Sequence, residues 1–238
     1  MLKIIFFLIF SVFGQSLFAK TISKSAVILE KRTLTANRQM VLWMENPTKN
    51  PRAVPDETYT CPEFTRGHYY SGITNVSLID TKTTSILNTL EIQLDTDNKI
   101  DLPYLIKRGF YYAVPKINKN QEGKPLLLNL KDYNNDGKAH EFALFDAWGC
   151  MGLGTTLIGY SEKQDKIIQY QIELKTGNDT SKDYWVDYLF QHSPDKQGIW
   201  QYEIDYRGRA GTFDKYEIRY DKEHELFYGT LISIPDTE

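Results

Sequence analysis

Cysteine is nearly absent from this chain, with only Cys61 and Cys150 among 238 residues. Two thiols cannot staple a disulfide scaffold or fill an all-cysteine metal centre. A surplus of positive charge is missing too. The 28 Lys and Arg stand against 31 Asp and Glu, which leaves no basic excess to hold nucleic acid by counterion release. Common catalytic signatures are lacking: neither H-E-x-x-H nor G-x-S-x-G occurs, and His68, His140, His192 and His224 stand apart. Gly149, Gly152, Gly154 and Gly159 fit neither G-x-G-x-x-G nor G-x-x-x-x-G-K-S/T, so a phosphate cradle is not expected. What is plentiful is apolar and aromatic surface, 41% and 13% of residues. That composition excludes a disordered chain, and the length allows a core without covalent staples.

The one long apolar run is at the start. Lys3 precedes Ile4 to Phe13, and the small residues Gly14, Ser16 and Ala19 follow. This order reads as a secretory signal peptide over residues 1–19, cleaved after Ala19 or, as a rival, after Ser16. The run is about half the ~20 residues that span a hydrocarbon core, so no stable membrane insertion is expected after cleavage. The chain is therefore expected to be exported, to a periplasm or the extracellular space. An oxidising compartment would allow a Cys61–Cys150 bridge, which would contribute about 2–4 kcal/mol through its long loop; the alternative is two buried thiols.

The mature chain reads as strands. Leu90, Ile92 and Leu94 alternate with Thr89, Glu91 and Gln93, and Ile168, Tyr170, Ile172 and Leu174 with Gln169, Gln171 and Glu173. Trp200, Tyr202, Ile204 and Tyr206 alternate with Gln201, Glu203 and Asp205, as do Tyr216, Ile218 and Tyr220 with Glu217 and Arg219. Period two over such stretches marks strands with one face in the core. The only candidates for short helices are near 101–107 and 180–188, and the second, with Trp185, Val186 and Tyr188, reads equally well as another strand. The stretch NPTKNPRAVP, residues 46–55, is rich in proline and asparagine and predicts a loop or linker. The expected architecture is mainly β, with antiparallel sheets forming a sandwich or an open barrel-like single domain. It occupies residues 56–238, and residues 20–55 form an N-terminal extension or outer strands. The aromatic stripe on the C-terminal strands is expected to be a core face closed by another sheet rather than an open binding surface.

One local motif carries chemistry. Asp132-Tyr133-Asn134-Asn135-Asp136-Gly137 is followed by Lys138, His140 and Glu141. Asp132, Asn134 and Asp136 offer three side-chain oxygens, and Gly137 permits the tight turn after which the Lys138 carbonyl can add another. The D-x-N-x-D-G core resembles the calcium loops of EF-hands, dockerins and FG-GAP or VCBS repeats, over about ten residues. The resemblance implies a structural Ca²⁺ held by Asp132, Asn134, Asp136, Lys138 and Glu141. The EF-hand's terminal Glu position is Ala143 here, and the ninth position, usually Asp in the strand-loop-strand repeats, is His140. The competing reading is a turn whose Asp and Asn side chains cap its own backbone.

A second cluster rests on the bridge. If Cys61 and Cys150 pair, Glu63, Arg66 and His68 come beside Asp146 and Trp148 at a glycine-rich corner. Glu63, His68 and Asp146 are then the candidate catalytic residues of a carboxylate-dependent, glycosidase-like hydrolase. Asn75-Val-Ser77 and Asn178-Asp-Thr180 match glycosylation acceptors. Taken together, the sequence favours an exported, noncatalytic binding or structural module with one calcium loop and a protein or carbohydrate ligand, over the hydrolase.

Overall fold

The computed structural model describes residues 21–50, 67–94, 99–108, 111–118, 120–148, 152–205 and 213–232. The signal segment, Cys61, Glu63, Arg66 and Cys150 lie outside the described residues, and with them the proposed bridge.

The chain forms a mainly β single domain of antiparallel sheets, one of them open and curled like a half-barrel. Six strands build the first sheet: β1 (Val27–Thr35), β2 (Arg38–Asn50), β3 (Gly67–Asp80), β4 (Ile86–Glu91), β5 (Ile100–Lys107) and β6 (Glu122–Gly123). The central sheet follows with β7 (Glu141–Trp148), β8 (Gly152–Ser161) and β9 (Lys166–Gln169). The chain then crosses into a third sheet with β10 (Ile172–Thr176) and β11 (Asp179–Asp183). It returns to the central sheet at β12 (Val186–Asp187) and makes one 3-10 turn at Leu189–Gln191. A meander of β13 (Ile199–Asp205), β14 (Phe213–Asp221) and β15 (Leu226–Ile232) completes the third sheet. All of these pairings are antiparallel except β10 with β15.

Two cores result. The first is aliphatic: Met40, Leu42 and Met44 of β2, Val76 and Leu78 of β3, and Leu102 of β5 pack with Leu144 of β7 and Ile158 of β8. The second is aromatic. Tyr170, Phe190, Trp200, Tyr202, Tyr216 and Phe227 are all 7% exposed or less, so the C-terminal aromatic stripe is a core face.

Several expectations need correction. Residues 101–107 are strand β5, not helix, whereas in 180–188 the strand reading holds, in β11 and β12. Of the expected loop 46–55, residues 46–50 continue β2 past a bulge between Glu45 and Thr48, with Asn46 at φ 42°. Residues 27–50 supply the edge strand β1 and the inner strand β2, whose apolar side chains wall the core. The alternation from Ile168 to Leu174 is broken, because β9 and β10 belong to different sheets and the phase slips between Gln169 and Tyr170. Gly152, Gly154 and Gly159 are not a corner but part of β8, which lies between β7 on one side and β9 and β12 on the other. Its residues 152–159 are all buried. Asn75 is 7% exposed within β3 and is no glycan acceptor in the folded chain, whereas Asn178 sits in an exposed turn.

The apolar run 125–130 is extended but only bridged, Ala113 to Leu126. Its backbone is satisfied by a buried side chain. Glu30 of β1 accepts the N–H groups of Leu127 (2.7 Å) and Leu128 (3.1 Å) and pairs with Arg32. Unpaired buried N–H groups are costly, so this carboxylate fixes where the following loop begins.

Candidate functional site

The D-x-N-x-D-G loop is closed at its neck by a two-bond bridge. Lys131 N–H donates to the Glu141 carbonyl (2.8 Å), and Glu141 N–H to the Lys131 carbonyl (3.2 Å). Within the neck the acidic side chains fold onto their own turn. Asp132 accepts from the N–H of Asp136 (3.0 Å) and of Gly137 (2.9 Å). The Asn134 side-chain oxygen also accepts from Asp136 N–H (3.0 Å), Asp136 Oδ1 accepts from Lys138 N–H (2.9 Å), and the Lys138 carbonyl accepts from His140 N–H (3.1 Å). Asn135 and Gly137 take positive φ, 57° and 88°. Asn tolerates this region and Gly enters it freely. The turn-capping arrangement is thus present in full.

Glu141 lies on the inner side of the loop and is fully buried. Its Oε2 accepts from Tyr133 N–H (3.1 Å) and its Oε1 from the Asn134 amide (3.2 Å). No cation pairs with it among the described residues. Burial pushes its pKa up to about 8, with the fields of Asp136 and Asp132 adding to the shift and the backbone hydrogen bonds from Tyr133 and Asn134 opposing it. The space it occupies exists because residue 159 is glycine. A Cβ there would stand 2.8 Å from Glu141 Cγ and 3.0 Å from the Tyr170 hydroxyl. Tyr170 itself is buried, and desolvation first, then the charge of Glu141, raises its phenol well above the ordinary range.

A cleft of about 170 Å³ opens beside this loop. Three turns meet there: the loop itself, the β8–β9 turn and the β14–β15 turn. Cross-turn bonds tie them together. Lys138 pairs with Glu162, Ser161 with Glu225, and the Gln164 amide donates to Glu225 (2.5 Å), while Lys163 Nζ donates to the Glu223 carbonyl (2.7 Å). Tyr160, Tyr170 and Tyr220 supply the aromatic lining. His140 stacks edge-on against Tyr160 (5.6 Å) with its Nδ1 3.8 Å from Glu162.

Of the expected metal ligands, Asp132, Asn134, Asp136 and Lys138 share the loop's outer turn and Glu141 sits beneath it. Among the described residues no group of three or more His, Cys, Asp or Glu is gathered tightly enough to hold a metal ion. Each carboxylate oxygen already bonded to an N–H keeps a second lone pair. Asp132, Asn134 and Asp136 can therefore still turn oxygen to a cation, with water supplying most of the six to eight positions that Ca²⁺ takes.

The second cluster is placed only in part. His68 of β3 has its Nε2 3.2 Å from Glu122 and its ring 5.8 Å from Tyr104. Asp146 stands in β7 opposite Gly154, and its charge is felt by the buried Tyr112 phenol. Glu63 lies outside the described residues. The sequence reading missed the contributions of Ser161, Glu162, Tyr220 and Glu225, which come from turns of other hairpins. No helix among the described residues is long and apolar enough to cross a membrane. No family model, curated protein or solved structure matches the chain.

Proposed function

We propose that the chain is an exported, noncatalytic binding or structural module, with protein or carbohydrate as its ligand. In this reading the 131–141 loop is a structural element that one Ca²⁺ reinforces. The observation that carries it is the commitment of the loop's acidic side chains to their own turn: Asp132, Asn134 and Asp136 each accept a backbone N–H. Groups spent on holding a backbone shape are poorly placed to abstract or deliver protons. They are already gathered, though, so a cation arriving at the outer turn needs little rearrangement. Asp132, Asn134 and Asp136 would hold the ion, and Glu141 would stay inside, supporting Asn134 and the Tyr133 backbone. The ion's role would be electrostatic, offsetting the repulsion between Asp132 and Asp136.

Few protein ligands imply weak affinity, with Kd on the order of 10⁻⁴–10⁻³ M. Titration calorimetry of the chelator-treated mature chain tests this. One saturable Ca²⁺ site that vanishes in Asp136→Ala is expected. No heat at calcium concentrations far above that range would leave the loop an ordinary self-capped turn and remove the metal from this reading.

A further inference from the structure

We propose that the cleft between the three turns is a binding site for a single neutral sugar ring. The proposal rests on the reading of the chain as a binding module, and not on calcium.

Three observations point to this ligand class. The first is charge. Asp136, Glu162 and Glu225 line the cleft together with Lys138, Lys163 and Lys222. Three carboxylates against three ammonium groups leave the lining without a net charge that would select an anion or a cation. Four of the six already have partners: Glu162 and Lys138 pair with each other, Glu225 with Ser161 and Gln164, and Lys163 with the Glu223 carbonyl. The second is what remains. Asp136 Oδ2 has only a 3.5 Å contact with the Asn134 amide. Lys222 and the Tyr220 hydroxyl make no hydrogen bond among the described residues. An acceptor, a donor and a hydroxyl that can do either suit ligand hydroxyls, which also serve both roles. The third is shape. The cleft is small, about 170 Å³, a scale that suits one polar ring. Tyr160 and Tyr220, both half-buried, give it amphipathic aromatic walls that can pack against C–H faces, with the Tyr160 hydroxyl donating to Asp165 (2.7 Å) and that of Tyr220 left for the ligand.

The site is also preorganised. The bonds that tie the three turns are in place before any ligand arrives, so binding need not spend energy ordering loops. Tyr220 is held from beneath by the buried rings of Tyr170 and Phe227, at 5.8 and 5.3 Å. The rings therefore offer a fixed surface.

The test is amide NMR of the ¹⁵N-labelled mature chain, titrated with glucose, galactose, mannose and N-acetylglucosamine, each with calcium and with chelator. At least one sugar should bind saturably with Kd on the order of 1 mM, with shifts centred on Asp136, Ser161–Lys163 and Tyr220–Glu225. Tyr220→Phe, which keeps the ring and removes the hydroxyl, should weaken binding about 3- to 10-fold. Lys222→Ala, at an exposed position, should weaken it by a similar factor without altering the fold. No saturation by any of the four at about 50 mM, well above the millimolar scale, overturns the proposal. So does an affinity unchanged in both variants, or binding of the zwitterion glycine in place of every sugar. Sugar binding with chelator present supports the cleft even where no calcium binds. Conversion of a bound sugar oligomer into product would keep the cleft and refute the noncatalytic reading.

Discussion

The two cores of this domain are built from different side chains, and the chemistry gathers around one of them. The core between the first and central sheets is aliphatic, with Met40, Leu42, Met44, Val76 and Leu78 at 0% exposure. Most of its side chains have no polar group to satisfy; the exceptions are served by backbone, the Tyr112 phenol accepting from the Phe145 N–H (3.0 Å) and the Glu30 carboxylate from those of Leu127 and Leu128. The core under the third sheet is aromatic, with Tyr133, Tyr170 and Trp200 among its members. Buried phenols need partners or pay for their absence, and they admit a buried carboxyl, Glu141, among them. The same elements that enclose this aromatic core end in the three turns of the cleft. A polar site thus grows where the core already contains polar atoms.

Mutation can separate the halves. Phe227 packs 5.3 Å from Tyr220, 5.5 Å from Phe190 and 5.6 Å from Tyr170. Phe227→Ala should cost about 3–5 kcal/mol in urea unfolding and displace the amide signals of the cleft. Leu42→Ala should cost about 2–5 kcal/mol and leave those signals in place. Equal disturbance of the cleft by both would erase the distinction.

Acidity sharpens the contrast next. Between the ordinary carboxyl value of 4.5 and about 8, folded Glu141 keeps a proton that the unfolded chain has lost. Stability should therefore fall as pH rises through that window in chelating buffer. Glu141→Gln, which cannot ionise, should flatten this part of the unfolding profile. An unchanged slope would mean that the carboxyl is not held neutral in the folded state.

Packing around that carboxyl gives a smaller effect. Gly159→Ala should cost about 1–3 kcal/mol through overpacking against Glu141 and Tyr170, measured by urea midpoint. Gly137→Ala faces no neighbour within 4 Å, so only its φ of +88° opposes it. A loss of about 1 kcal/mol is expected in thermal unfolding. A cost at residue 137 above that at 159 would place the loop's constraint in its backbone rather than in the buried carboxyl.

The strands of the third sheet were legible in the sequence because one face is aromatic and the other polar. Trp200 and Tyr202, then Tyr216 and Ile218, point inward as their alternation implies. Strand β8 was not legible. It is buried on both faces and carries Gly152, Gly154 and Gly159, so no period survives and glycine mimics a turn. The acidic loop announced itself through D-x-N-x-D-G, but the burial of Glu141 did not, since the motif casts that Glu as a ligand turned toward a cation rather than a carboxyl turned into the core. The rest of the cleft comes from residues 161–163 and 220–225, which local sequence cannot assign to the loop at 136. Their meeting depends on the register of β8 with β7 and on the placing of β15.

That placing affects how the chain folds. Strand β15, late in the sequence, lies between β10 and β14, and Phe227 is the ring on which four other aromatics converge. During synthesis, when earlier segments emerge first, β10, which ends at Thr176, is made well before its parallel neighbour β15, which starts at Leu226. Until then β10 has an open edge, and Tyr170, Phe190 and Trp200 lack their lid. Such long-range pairing slows folding. The wait for β15 leaves a bare strand edge beside an uncovered aromatic face, the pairing of features that invites aggregation.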